Sequence, residues 1–222
     1  MIRTTLIALA LMLSTSTVHA QSRSGYRDFA FGSDFASISD KVHAEVADSR
    51  IIHERPALMR VLEWRPSYFE TGSNEVRQDT VQLIVFSFYN DQLYKMAIDY
   101  DRQRTEGMTD ADMIAALSGM YGETSKPTTK RLQAGTQEPP IAQWQDEEYS
   151  VALYRVAFRR GFQAVVTSTR LDALAKTASA QAIRLDELEA PQRELARQKQ
   201  AAADARVSDE KARVTNKAAF RP

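Results

Sequence analysis

Residues 81–101 read VQLIVFSFY-ND-QLYKMAIDYD, and this stretch decides the fold. Val81 to Phe88 is a short apolar run, and Leu93 to Asp101 alternates in character. Tyr94, Met96, Ile98 and Tyr100 fall on one side, with Lys95, Asp99 and Asp101 on the other. A period of two is the mark of a strand with one face in the core and one in water. Between the runs stand Asn90 and Asp91, the side chains that best tolerate the left-handed backbone of a tight turn. The pattern predicts an antiparallel hairpin.

Upstream, Leu58 to Arg65 (LMRVLEWR) also reads as a strand, stopped by Pro66. Before it, Phe35, Ile38, Val42 and Val46 recur at helical spacing, and Ser33 or Asp34 stands where a first turn is capped. His53 falls in the connection between helix and strand, and the polar stretch from Gln21 to Asp28 is expected to be a mobile leader. Downstream, Thr109 and Asp112 have capping-box spacing; Met113, Ile114, Leu117, Met120 and Tyr121 share one helical side, and Gly122 closes it. Residues 123–140 are rich in turn formers and form a linker. Three further strands follow, at Ile141 to Asp146, Tyr149 to Phe158 and Phe162 to Thr169, the last two joined through Arg159-Arg160-Gly161.

The order is thus helix, three strands, helix, three strands, in units of about 29–101 and 109–170 within a domain spanning 21–170. A lone helix on three strands buries little, so two such units sharing one sheet are the economical arrangement. The expected class is α+β: an antiparallel sheet with helices on one face, followed by a long C-terminal helical tail.

That tail, residues 171–222, is rich in Ala, Arg, Glu, Gln, Lys and Asp. Leu171, Leu174, Ile183, Leu185 and Leu188 are able to pack against the domain. Past Pro191 the apolar positions thin, and pairs such as Arg206 with Glu210 and Asp209 with Arg213 favour a solvated helix. A strict heptad is missing, so an exposed helix with a break near Pro191 is expected; coiled-coil pairing, and with it an oligomer, is the alternative.

Residues 1–20 have the build of a secretory signal peptide: Arg3, the apolar run Leu6 to Leu13, and Val18-His19-Ala20 with small residues at the positions a signal peptidase reads. An eight-residue run is far short of the roughly 20 residues a spanning helix needs. No cysteine occurs, which excludes disulfides, thiolate metal sites and a lipid-anchored cysteine after the cleavage point. Export without disulfides points to a bacterial periplasm, with extracellular release as the alternative. Lys and Arg number 29 against 29 Asp and Glu, so there is no basic field for nucleic acid, and no later stretch is long enough to cross a membrane.

Catalytic spacing is hard to find. His43 and His53 lack metal-ligand spacing, and no serine elbow, phosphate loop or dinucleotide fingerprint occurs, so no cofactor is implied. Asp99 and Asp101 are two apart on a strand, which sets their carboxylates about 7 Å apart, a distance used in glycoside hydrolysis. Arg155, Arg159 and Arg160 cluster at a hairpin tip and, with Asp99 and Asp101, define the alternative reading of a cell-wall ligand-binding protein or hydrolase. Trp64, Phe86, Phe88, Trp144 and Tyr149 are spread over the strands; core packing or a protein-binding sheet face accounts for them.

With Phe31-Gly32-Ser33 opening the first helix and Tyr121-Gly122 closing the second, the element order resembles the small periplasmic domains typified by the outer-membrane assembly lipoprotein BamE and by the tandem β-lactamase inhibitor proteins. The resemblance covers roughly residues 29–170 and implies a non-enzymatic module that binds an envelope protein through a sheet face or edge. The chain departs from the first in lacking the anchor cysteine and from the second in lacking disulfides, and no site residue carries across.

Overall fold

The computed structural model describes residues 25–66, 79–125, 139–156, 161–219 and 221. The expected signal peptide, most of the linker, Arg159 and Arg160 lie outside these described residues. In chain order the elements are β1 (Gly25–Tyr26), β2 (Phe29–Ala30), α1 (Phe35–Val42), a single 3-10 turn (Val46–Asp48), β3 (Ser49–His53), β4 (Met59–Trp64), β5 (Val81–Tyr89), β6 (Gln92–Tyr100), α2 (Asp110–Tyr121), β7 (Ala142–Gln145), β8 (Tyr149–Val156), β9 (Gly161–Ser168) and α3 (Thr169–Ala219). The protein is α+β, with one seven-stranded antiparallel sheet in the order β3-β4-β5-β6-β9-β8-β7 and a separate two-stranded β1-β2 ribbon.

Two units meet where β6 pairs with β9, at Met96 opposite Val166 and Ile98 opposite Ala164. Each unit thus contributes its last strand to the junction, and the halves share one sheet. The β5-β6 hairpin turns through Asn90 and Asp91, both at positive φ, as the turn chemistry predicts. Within it, the register slips between Ser87 and Phe88. This bulge takes Tyr94 out of line with Met96 and Ile98, so the strict alternation read from the sequence breaks there. Its phenol meets Ser87 and Asp172 on the other side of the sheet, and burial raises its pKa.

α1 and α2 lie on one face. Ile38 of α1 is fully buried and the Phe35 ring stands edge-on to Phe88, with centroids 5.3 Å apart. α1 stops earlier than its stripe suggests, because His43 adopts the left-handed conformation and returns its N–H to the carbonyls of Asp40 and Ser39. Val46 is therefore exposed on the 3-10 turn. The chain then enters β3, an edge strand where a connection is expected; SRIIH lacks the alternation that marks a strand, since its burial is decided by a neighbour on one side only. α2 has both halves of its capping box at Thr109 and Asp112 and ends at Gly122.

Gly25 to Asp28 is not a leader. Tyr26 and Phe29 are buried in the core, the Phe29 ring meets Phe86 edge-on at 4.8 Å, and Tyr121 Oη donates to the Gly25 carbonyl at 3.4 Å. A Cβ on Gly25 would sit 2.1 Å from the Phe29 carbonyl oxygen, so the ribbon closes only with glycine there. Arg27 holds Asp79 bidentately at 2.9 and 2.7 Å, tying the ribbon to the start of β5. Burial raises the pKa of Tyr26, Tyr100 and Tyr121, which the ribbon helps to seal in.

The opposite face is covered as well. β9 runs straight into α3, which packs across β5, β6, β9 and β8. Its buried positions Leu171, Ala175, Ala178 and Ala182 form one stripe, small enough for the helix to lie close to the sheet. Four turns of the predicted tail therefore belong to the domain. Beyond them the helix continues through Pro191 as one element, where a break is expected from the sequence. A proline removes one backbone donor and crowds the carbonyl one turn back, and a well-supported helix absorbs both. The Arg193 guanidinium donates to the Asp186 carbonyl at 2.9 Å in the turn that precedes it.

Candidate interaction surface

The strand aromatics singled out from sequence go mostly to the interior. Phe86, Phe88, Trp144 and Tyr149 are at most 2 % exposed, packed beneath α1, α2 and the ribbon, so they form core and offer no contact surface. Trp144 Nε1 donates to the Gly122 carbonyl at 3.0 Å, which uses its one polar atom to anchor the end of α2. Trp64 is half-buried, edge-on to Phe29 at 5.7 Å. It also lines an open depression of about 490 Å³ at the end of α1, with Val42, His43, Asp48, Arg50 and Glu63. The depression depends on β3, the strand that sequence reading missed, and its lining mixes both signs of charge.

The polar candidates are dispersed. Asp99 accepts from Gln163 Nε2 at 2.7 Å across the β6-β9 junction. Asp101 lies just past the end of β6, and its carboxylate accepts from the Arg104 amide at 3.0 Å to hold a turn. The two carboxylates serve separate local structures. Arg155 is tied to α2 by Nε donating to Asp110 Oδ1 at 3.1 Å, and its guanidinium lies 4.8 Å from the Phe162 ring centre. It thus braces α2 against β8 and β9. Among the described residues no group of three or more His, Asp or Glu is placed to hold a metal ion, and no helix is long and apolar enough to cross a membrane.

What stands out is α3. Among the described residues it is tied to the body at Glu189, whose carboxylate takes Arg55 from the β3-β4 loop bidentately at 3.1 and 2.8 Å. Arg55 holds the Glu189 carboxyl below its ordinary pKa, chiefly through these bonds. From residue 190 to 219 the helix stands almost wholly in solvent, which at 1.5 Å per residue is a rod of about 45 Å. It supports itself through local pairs: Gln198 on Glu194 at 3.1 Å, and Arg213 on Glu210, three residues back, at 2.8 and 2.6 Å rather than on Asp209. Leu188, Leu195, Val207 and Val214 remain exposed along it. Val207 and Val214 floor a shallow, mostly apolar depression rimmed by Arg206, Glu210 and Lys211. Sequence reading identified the exposed helix and allowed its first part to pack on the domain; of the residues it named for that contact only Leu171 is fully buried, and Ala175, Ala178 and Ala182 complete the docked stripe.

No known protein family, curated protein or solved structure matches the chain.

Proposed function

We propose that this is an exported, non-enzymatic interaction module of the bacterial cell envelope, a folded platform that holds a rigid helical arm for contact with another protein. One observation carries the reading: α3 is docked over its first four turns and, past Glu189, runs for about 45 Å almost wholly in solvent with Leu195, Val207 and Val214 exposed. A helix that served only to complete the fold would end where the sheet ends. The signal-peptide pattern at 1–20 supports export, and two helix-plus-strand units sharing one sheet, with four strands after α1 and three after α2, support the likeness to envelope binding domains.

The test is capture of partners from envelope extract by the secreted protein and by a chain ending at Glu189. A partner held by the first and lost by the second supports the arm as the contact element; no partner for either overturns the reading. Export is checked separately, by finding Gln21 as the N-terminus of the protein recovered from the periplasm.

A further inference from the structure

The two margins of the seven-stranded sheet are finished differently. β7 carries on its outer side an antiparallel bridge from Ser125, whose amide donates to the Gln143 carbonyl at 2.8 Å, so the chain itself occupies that margin. β3 pairs with β4 on one side, and among the described residues nothing pairs with the other. An open margin presents backbone donors and acceptors at strand spacing, which only another extended segment matches. Ile51 and Ile52, in the middle of β3, are 46 % and 41 % exposed, where a margin guarded against pairing carries lysine or proline. The register shift past Ile51 keeps the free ladder short, which suits a brief segment better than the fusion of two sheets.

Charge narrows the occupant further. Ile51 shares a face with its cross-strand neighbour Arg60, whose guanidinium lies 4.5 Å from the ring centre of Phe35 on α1. Arg50 stands on the opposite face with Val61, in the wall of the depression at the end of α1. Neither arginine makes an ion pair among the described residues, and the Nε of Arg60 is buried without a hydrogen-bond partner. The acids beside them are engaged: Asp48 accepts from the Glu45 amide at 2.7 Å, and Glu63 lies 3.4 Å from Arg65. A strand laid along β3 with an apolar side chain beside Ile51 turns the next residue toward Arg50, where a carboxylate meets an unpaired cation.

We infer that the free edge of β3 takes an extended segment of a partner protein in which apolar and acidic residues alternate, adding one strand to the sheet. This rests on the reading of the protein as an interaction module and names the chemistry of what it holds. Arg55, just past the end of β3, is the residue that grips Glu189 where the arm leaves the body. A protein held by the arm therefore has this edge within reach.

Panning a phage-displayed library of random heptapeptides against the full-length secreted protein tests this with no partner in hand. Enriched sequences should alternate apolar and acidic residues, and a synthetic peptide of that sequence should shift the amide resonances of Arg50, Ile51 and Ile52. N-methylation along one edge of the peptide should abolish binding while the same change along its other edge leaves it, which side-chain capture without strand pairing does not produce. R50E should weaken the peptide about tenfold, through one lost ion pair and a new like-charge repulsion. I51S combined with I52S should weaken it as well, A201R on the arm should leave it unchanged, and circular dichroism checks that each variant is folded. No enrichment, enriched peptides that lack acidic residues or bind R50E as tightly as the parent, or tolerance of N-methylation along both edges overturns the proposal. A dimer of the protein alone that I51S/I52S dissociates overturns it too, because the edge then belongs to a second copy. The capture experiment varies only the arm, so its outcome stands apart from all of these.

Discussion

Residues 169–189 and 190–219 of α3 are drawn from the same small alphabet of alanine, charged residues and occasional aliphatics, yet one stretch is part of the fold and the other stands clear of it. The docked stretch buries Ala175, Ala178 and Ala182 against the sheet, while alanines 201, 202, 203 and 205 lie in water. Composition is no guide to which is which. The difference is that the first four turns lie on a sheet, delivered by β9 running directly into the helix, whereas the eight turns past Glu189 stand almost wholly in solvent. An alanine stabilises a helix in either place; it contributes to tertiary structure only where its small size lets two elements approach.

The sharpest way to break this contrast is to put the same charge in both places. A178R sets an unpaired guanidinium between helix and sheet and is expected to cost about 3–5 kcal/mol, the range for an uncompensated buried charge, in urea denaturation. A201R should stay within about 0.5 kcal/mol of the parent protein, as exposed substitutions do. Equal costs would mean that the docked stretch is not held as described. P191A comes next: restoring the missing donor removes a helix penalty of about 3 kcal/mol, and the gain should appear as higher helicity and slower amide exchange in the turns around residue 187, with the body's unfolding midpoint nearly unchanged.

Alkali separates body from arm in another way. Tyr26, Tyr100 and Tyr121 all have folded-state pKa values raised by burial, and the arm contains no tyrosine. The unfolded chain therefore loses these protons first, stability is intact below about pH 10, and it falls as pH rises above that. Body unfolding followed at pH 9 and pH 11.5 should show the loss, and Y26F should reduce its slope. The smallest effect belongs to the ion pair of Arg55 and Glu189. Glu189 has a lowered pKa in the folded state, so the contribution of its ion pair is present above the ordinary carboxylate range and lost as pH falls through the folded-state value. The pair is surface-exposed, so E189Q should leave global stability almost unaltered and show itself as faster amide exchange near residues 186–190, with the parent approaching the variant at low pH.

Much of the fold is legible because its signals are local. Asn90-Asp91 dictates its own turn, Thr109 and Asp112 cap each other, and Gly122 ends α2, all without reference to distant residues. Where the signal is not local, reading fails in a consistent direction. SRIIH forms β3 only because β4 offers it an edge, and Gly25–Tyr26 is ordered only because Tyr121 and Phe86 wait for it and its neighbours. The candidate aromatics failed for a related reason: alternation says that Phe86 and Phe88 share a face, and only the placement of α1 and the ribbon says that this face is sealed.

By itself, then, the order of residues determined the strands with clear alternation, the turns and caps between them, the helical character of residues 171–219 and the shared antiparallel sheet. These follow from backbone sterics and side-chain period, which act over a few residues. Only the tertiary structure decided that both faces of the sheet are covered, that Asp99 and Asp101 hold separate local contacts, and that α3 docks for four turns and then leaves. Those outcomes depend on which surfaces come within van der Waals reach across tens of residues, where packing energy is spread over many weak contacts and no single stretch of sequence records it.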